Sequence, residues 1–354
     1  MIESPLAHAL LFAPAKLYEL AVRARIVAYE RGLLKTHRLQ APVISVGNLT
    51  VGGTGKTPCV AFLASALRDA GHQVAILSRG YKRQTTNRVE VSNGKQVLCS
   101  AAESGDEPYL LAQSCPGVRI IVDQNRFAAG HWLEQRTDVS LFILDDAYQH
   151  LPLHRDLNLL LIDAAEPLSR AKMVPFGRLR EPLAELRRAD AIIITRSDQQ
   201  FDRSHLIETI RRFSSSAPIF FAHHEMSRFR RFGGTETFNV IEFAGKKVAA
   251  VSGIAKPDRF NNDLRNAGLQ IVVRHDFPDH HRYSADEFAE ILREAQAANA
   301  EAIIVTEKDA ANLPKELFDQ FPLPIFAAQI EFQCAEATQL MELLLGVSER
   351  GGKS

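Results

Sequence analysis

Apolar runs that end on a polar residue or glycine punctuate the first part of the chain: PVISVGN, QVAILSRG, VRIIVDQ, VSLFILDD, LNLLLID and ADAIIITRSD. Hydrophobicity within each run is continuous rather than alternating. That is the pattern of strands buried on both faces, as in a parallel sheet covered by helices. Between the first two runs, Val60, Leu63, Ala64 and Leu67 recur at i, i+3, i+4 and i+7, and Gly71 supplies a stop, so a βαβ unit is predicted. A second set, KKVAAVSGIA, LQIVVRHDF and AEAIIVTEKD, follows the polar stretch SRFRRFGGTETFN, which reads as a change of domain. Two similar segments bracket this set, APIFFAHHEM and LPIFAAQIEF, and read as the paired strands of a two-stranded linker. The expected division is 1–220 and 221–354, with the tail from about Ala335 returning toward the first domain. Neither a low-complexity tract nor a repeat array is present.

The N-terminal pattern differs. The segment SPLAHALLFAPA, residues 4–15, carries no charge but is too short to cross ~30 Å of hydrocarbon, and no basic region precedes it, so neither a span nor a signal is expected. It reads as an apolar, hairpin-like segment. In the helix that follows, Leu17, Leu20, Ala21, Ala24, Val27 and Ala28 share one face, flanked by Lys16, Arg23 and Arg25. Residues 1–40 hold six Lys or Arg against three Asp or Glu, a surplus of +3. Such a helix suits either a membrane interface or its own domain's surface.

Composition narrows the choice only a little. The 354 residues allow two domains at one per ~150 residues, and 46% hydrophobic with 24% charged residues predicts a packed core. Lys plus Arg equals Asp plus Glu at 42 each, so bulk attraction to nucleic acid is not expected. Cys59, Cys99, Cys115 and Cys334 are scattered without metal spacing, which suits a reducing compartment.

Candidate chemistry begins at GNLTVGGTGKTP, residues 47–58. A strict phosphate-loop pattern needs glycine five positions before Gly55, where Thr50 stands. The context is nevertheless right, because the segment follows VISV and opens a helix. Thr50, Val51, Gly52, Gly53, Thr54 and Gly55 can turn backbone N–H groups toward phosphate oxygens. Lys56 can reach the outer phosphates and Thr57 can hold Mg²⁺. Pro58 is tolerated in a first helical turn. SLFILDD places Asp145 and Asp146 at a strand end, one to anchor the metal and the other to orient a neighbour. TRSD, residues 195–198, resembles a guanine-reading element with Arg in place of Lys, whereas TEKD at Thr306 has the wrong spacing. A nucleotide-hydrolysing switch or partitioning-type protein is therefore the alternative class. It would hydrolyse nucleotide slowly without a small acceptor.

Further polar groups fall near predicted strand ends: Arg79, Tyr81, Lys82 and Arg83 in LSRGYKR, Arg126 in DQNR, and Arg178, Arg180 and Glu181 in GRLREP. Arginines there can clamp phosphates. Asp106 in GDEPYLLA has the spacing of a helix N-cap. FPDHHRYS offers His280 and His281 beside Asp279, without zinc spacing but with a histidine able to move protons.

Taken in order, GNLTVGGTGKTP, LSRGYKR, GDEPYLLA, ILDDAYQH, LHRDLNLLLID, GRLREPL and FPDHHRYS resemble the tetraacyldisaccharide 4′-kinases, the lipid A 4′-kinases, over essentially the whole chain. The family also has a hydroxyl residue where Thr50 breaks the strict loop. The resemblance implies a P-loop three-layer α/β/α kinase domain with a second, smaller α/β domain on a two-stranded linker. It implies transfer of the ATP γ-phosphate to the 4′-hydroxyl of a tetraacylated glucosamine disaccharide 1-phosphate, giving lipid IVA. It further implies Mg²⁺ and a peripheral position on the cytoplasmic face of the inner membrane. No nucleic acid and no obligate protein partner are expected. Lys56 and Thr57 then match the phosphate and Mg²⁺ positions, Asp145 and Asp146 the acidic pair, and Asp106 with His280 an acid–base dyad. Arg180 is expected near the γ-phosphate, and Tyr81, Arg126 and His150 near the substrate or the closing cleft. Ala147 stands where the family usually has glycine, so backbone strain beside the acids is expected there. Phe176 replaces a usually small residue before Gly177.

Overall fold

The computed structural model describes residues 5–351 apart from 167, 169, 170, 235, 280 and 314–321. Its first half alternates strands and helices: α1 (Pro5–Glu30), β1 (Val43–Asn48), α2 (Lys56–Asp69), β2 (Val74–Ser78), β3 (Val89–Asn93), α3 (Ala101–Ser104), α4 (Asp106–Ser114), β4 (Arg119–Val122), α5 (Arg126–Glu134), β5 (Leu141–Asp145), β6 (Leu157–Asp163), β7 (Ala191–Thr195) and α6 (Arg203–Arg211). There follow β8 (Ile219–Arg231), β9 (Thr237–Asn239), β10 (Lys247–Ser252), α7 (Pro257–Asn266), β11 (Gln270–Asp276), α8 (Ala285–Ala297), β12 (Ala302–Thr306), α9 (Glu307–Ala310), β13 (Ile325–Cys334) and α10 (Ala337–Gly351).

The strands form one sheet in the order β11-β10-β12-β13-β8-β7-β6-β1-β5-β2-β4-β3, with β9 on β8. The apolar runs of the first part are indeed strands buried on both faces, all six residues of β1 included, whereas β11 at the sheet edge has no fully buried residue. Ile44 and Val46 join α2 on one face, and Val43 joins α5 on the other. The result is a three-layer α/β/α body. α2 buries Val60, Leu63 and Leu67 completely. Leu63→Ala there costs about 2–5 kcal/mol, the range for a large-to-small change in a tight core.

APIFFAHHEM and LPIFAAQIEF fall largely in β8 and β13, which pair antiparallel from Ala222↔Cys334 to Arg231↔Phe326. The polar stretch after the first of them is partly strand, since β8 runs on to Arg231. Beyond the pair, β10 and β12 carry α7 on one face and α8 on the other. From β13 the chain turns back, and Leu340, Leu344 and Val347 of α10 pack in the cluster of α2.

Two local expectations are corrected. Residues 5–15 are no hairpin: α1 runs through them as one helix with Pro14 inside. Its inner face holds Ala15 and Ile26 against the body, while Leu17 (70% exposed), Leu20 (64%), Val27 and Phe12 stay open to solvent. The second correction concerns Asp106. The N-cap of α4 is Gly105 at φ 92, and Asp106 is the first helical residue. Its spacing imitated a cap, but the capping box lies one turn earlier, on Ser100 and Glu103 of α3.

Candidate active site

Polar side chains gather where β1, β2, β5, β6 and β7 end, the edge at which parallel α/β sheets present ligands. The phosphate loop leaves β1, with Gly52 at φ 112, and opens α2 from Gly55 at φ 81. Its inner wall is the GRLREP segment. Thr50 pairs with Leu179, Val51 N–H donates to the Arg178 carbonyl (2.7 Å), and the Arg178 guanidinium donates back to the Val51 carbonyl (2.7 and 3.1 Å). Gly52 is favoured by its φ, and a β-carbon there would stand 2.1 Å from the Arg178 guanidinium, displacing that side chain from the loop. Thr50 supplies no such need, which is why the missing glycine leaves the loop intact.

From below, TRSD fixes the same loop. Arg196, at φ 58 and buried, pairs with Asp163 and donates to the Gly53 carbonyl (3.0 Å), and Thr195 Oγ1 donates to the Thr54 carbonyl (3.0 Å). Its arginine is engaged by the loop, where a guanine reader would need it for a base.

The acidic pair stands against this loop because two backbones touch. A β-carbon on Gly47 would lie 2.6 Å from the Tyr148 amide nitrogen, and Ala147 N–H donates to the Val46 carbonyl (3.1 Å). The turn falls on Asp146, at φ 46, and Ala147 is not among the residues with positive φ. The strain expected at Ala147 is therefore borne by an aspartate, which tolerates that region better than most residues. Arg180 grips Asp146 with both terminal nitrogens (2.8 and 3.0 Å) and also donates to Asn48. Lys56 Nζ lies 3.7 Å from Asp146 and 3.3 Å from Asn48 Oδ1. Burial opposes ionisation of Asp146, but Lys56 and then Arg180 outweigh it and hold the carboxyl below its ordinary value.

Asp145, 2% exposed, has a different environment. Ser78 donates to Oδ2 (2.9 Å), and Oδ1 is buried without a partner. Burial, then the charge of Asp146, push this carboxyl up. Glu107, one residue into α4, is exposed at its outer side, while partial desolvation on the side facing the acids and the charge of Asp145 push it up to about 7.

The remaining sequence-derived candidates fall around this centre. Asp106 opens α4, and the carbonyl of Tyr81 would lie 2.9 Å from a β-carbon on Gly105, so LSRGYKR and GDEP pack backbone to backbone. The Tyr81 side chain is 67% exposed. Arg126 is buried at the start of α5, and its Nε has no partner. Burial and the charges of Arg126, Arg155, Arg25 and Arg79 push His150 down to about 3, so it is neutral at pH 7. Phe176 lies under the ammonium of Lys172, 4.3 Å from ring centroid to Nζ. His280 lies outside the described residues. Asn48, Ser78, Glu107 and Asp163 escape the sequence reading, and Arg196, read there as part of a guanine-reading element, serves the phosphate loop instead. All but Glu107 sit at or just past the end of an apolar run, which is the one signal that could have found them.

A phosphate loop on the central strand, an acidic pair on its neighbour and an arginine bridging the two define a P-loop phosphotransferase. The tetraacyldisaccharide-1-P 4′-kinase family model matches residues 7–349. Tetraacyldisaccharide 4′-kinase of Geobacter sulfurreducens is 42% identical over 327 residues, covering 92% of this chain and 89% of the relative. That of Pelobacter propionicus is 38% identical over 335 residues, covering 94% and 91%. The "apo"-form crystal structure of LpxK from Aquifex aeolicus in complex with ATP matches with a TM-score of 0.78 at 32% identity, covering 94% of this chain and 96% of that one. The chain belongs to the tetraacyldisaccharide 4′-kinase family and is a kinase, a phosphotransferase acting on a hydroxyl group.

Proposed function

We propose that this kinase transfers the ATP γ-phosphate to the 4′-hydroxyl of a tetraacylated glucosamine disaccharide 1-phosphate, forming lipid IVA in lipid A synthesis. The observation that carries the site assignment is the convergence of Lys56 and Arg180 on both Asp146 and Asn48 beside the phosphate loop. Residues 50–57 cradle the phosphates, and Lys56 neutralises the charge that builds on the transferring group. On ATP binding, Lys56 exchanges Asp146 for phosphate while Arg180 keeps the carboxylate in place.

The partnerless buried oxygen of Asp145 suits a divalent cation. Among the described residues no group of three or more His, Cys, Asp or Glu could hold a metal alone, and Mg²⁺ typically takes one or two carboxylates plus phosphates and water. Asp145 and Thr57 would hold it, and its chemistry there is neutralisation of phosphate charge. Arg126, buried with a free Nε near the acidic pair, offers a donor to a phosphoryl or acceptor group, with Tyr81 and His150 at the substrate side of the cleft.

Phosphoryl transfer needs the hydroxyl in line and relieved of its proton. Asp106 is the base, and His280 orients it or takes up the proton. The units 1–220 and 221–354 close over both substrates through β8 and β13. The outer apolar face of α1 lies in the membrane interface, so the enzyme is peripheral on the cytoplasmic face. Among the described residues no helix is long and apolar enough to cross a membrane.

The test is conversion of a disaccharide 1-phosphate lipid to the bisphosphate by purified protein, ATP and Mg²⁺, run on Asp106→Ala, His280→Ala and the double variant. Residues working as one unit lose activity non-additively, so the double variant should be scarcely slower than the slower single. Losses that multiply, or Asp106→Ala lowering Tm while kcat holds, overturn the dyad. ATP hydrolysis indifferent to the lipid overturns the reaction.

A further inference from the structure

The reaction leaves one motif unused: TEKD, residues 306–309, at the end of β12 and the start of α9. Its Asp309 is 1% exposed and fully engaged. Oδ1 accepts from Tyr283 Oη (2.9 Å) and from the Gly253 amide (2.9 Å), Oδ2 accepts from the Thr306 hydroxyl, and the Asp309 amide donates to Thr306 Oγ1 (3.1 Å). A buried carboxylate is costly, and one with several donors converging from separate segments holds those segments in fixed register. Gly253 is where they meet. A β-carbon there would stand 2.8 Å from Asp309 Oδ1, 3.1 Å from His281 Cβ and 3.2 Å from Tyr283 Oη.

Two of those three neighbours belong to the loop FPDHHRYS. Phe277 N–H donates to the Ser252 carbonyl (2.8 Å), Phe277 stacks on His281 at 4.4 Å between centroids, and His281 Nε2 lies 2.7 Å from Glu287 Oε2. On the other side of position 280, Asp279 accepts from Lys308. The residues flanking His280 are thus both fixed, His281 by Phe277 and Glu287, and Asp279 by the TEKD lysine. α9 also packs against α4, whose first residue is Asp106. The charge of Lys308 is felt by Glu107 of the same helix.

We propose that residues 306–309 are the positioning element that brings the FPDHHRYS loop to the GDEP helix: Asp309 holds the loop through Tyr283, Lys308 holds it through Asp279, and α9 seats both against α4. None of these residues need touch ATP or lipid. The inference rests on the acid–base reading of Asp106 and His280.

The experiment measures kcat and KM for ATP in the full-length protein for Lys308→Met and Tyr283→Phe, each alone and combined with His280→Ala. Misplacing a reacting group by about 1 Å costs on the order of 10²-fold, so each single change should lower kcat by roughly tenfold or more with KM for ATP within about twofold. In the His280→Ala background the same changes should cost nothing further, because the group they position is gone. Wild-type kcat in either single variant, or an undiminished loss on top of His280→Ala, overturns the positioning role while leaving the dyad standing. A His280→Ala enzyme at the wild-type rate overturns the dyad and this inference with it. Should Tyr283→Phe fail to fold, Lys308→Met decides the matter, since its side chain lies at the surface of the pair and 20% exposed.

Discussion

Replacing Lys56 with Met keeps most of the side chain and deletes only its charge, which makes it the sharpest probe of the phosphate loop. Without nucleotide the ammonium stands 3.7 Å from Asp146 and 3.3 Å from Asn48 Oδ1. At an effective dielectric constant of about 20 the attraction to Asp146 is roughly 4 kcal/mol before desolvation is charged against it. Most of that is offset by desolvation, and Asp146 keeps its two-pronged grip from Arg180 at 2.8 and 3.0 Å. The expected loss of stability is therefore only about 1 kcal/mol, in the range of partly exposed ion pairs. The kinetic loss should be larger, because removing one preorganised charge contact at a developing charge costs on the order of 10²–10³ in kcat, about 2.7–4 kcal/mol. The assay is initial-rate formation of the 4′-phosphate at saturating ATP and lipid, with Tm measured alongside. A kcat within threefold of wild type, in protein whose Tm has not moved, would refute the assignment of Lys56 to the transferring phosphate. A collapse of Tm with the surviving folded fraction fully active would make the lysine a structural partner of Asp146 and nothing more.

Two further predictions separate function from packing. Leu17→Glu with Leu20→Glu alters only the exposed face of α1, so partition onto anionic vesicles should fall and KM for lipid should rise while Tm and KM for ATP hold; unchanged partition on flotation would mean that this face is not interfacial. Glu107 is protonated to about pH 7 when folded but ionises near 4.5 when unfolded, so its ionisation weakens the fold increasingly as pH rises from about 4.5 to 7 and by a constant amount beyond. Glu107→Gln should therefore gain Tm over wild type across that window and hold the gain at pH 8, measured without metal or nucleotide; a Tm difference flat in pH would show that burial does not shift this carboxyl.

Much of the body was legible in the sequence because strands buried on both faces read as unbroken apolar runs, and VISVGN, SLFILDD and LNLLLID are neighbours in the sheet as well as in kind. The nucleotide loop was legible for the same reason: its glycines and Lys56 are consecutive, and the strand and helix on either side are local. What local pattern could not give is the company each residue keeps. Asn48, Ser78, Thr195 and Arg196 stand at or next to the ends of three different strands and meet the loop or the acids only once β1, β2, β5, β6 and β7 are side by side. Asp106 was misread as a cap because the true cap, Gly105, acts through its backbone and leaves no side-chain signature. The positive φ beside the acids was placed one residue late, on Ala147 instead of Asp146, since spacing to a strand end does not say which residue makes the turn.

The way α1 is fastened carries a consequence for how a lipid is phosphorylated at all. Tyr18 Oη donates to the Arg180 carbonyl (3.2 Å) and Arg25 to the Gln149 carbonyl (3.2 Å), while Gln149 Nε2 donates to the Asn48 carbonyl (2.9 Å). Arg180 holds Asp146, Asn48 faces Lys56, and Gln149 follows the acidic pair by three residues. The helix whose outer face is proposed to lie in the interface is thus bonded to the very segments that build the transfer site. On the proposed function, acyl chains set the depth of the acceptor in the membrane and α1 sets the depth of the enzyme. On that reading, the remaining variable is how the FPDHHRYS loop meets the GDEP helix, the placement the TEKD segment is proposed to set. Beyond the packing of Ala15 and Ile26, the bonds from Tyr18 and Arg25 couple the position of α1 to the segments of the transfer site, so a change in how α1 sits would be felt there.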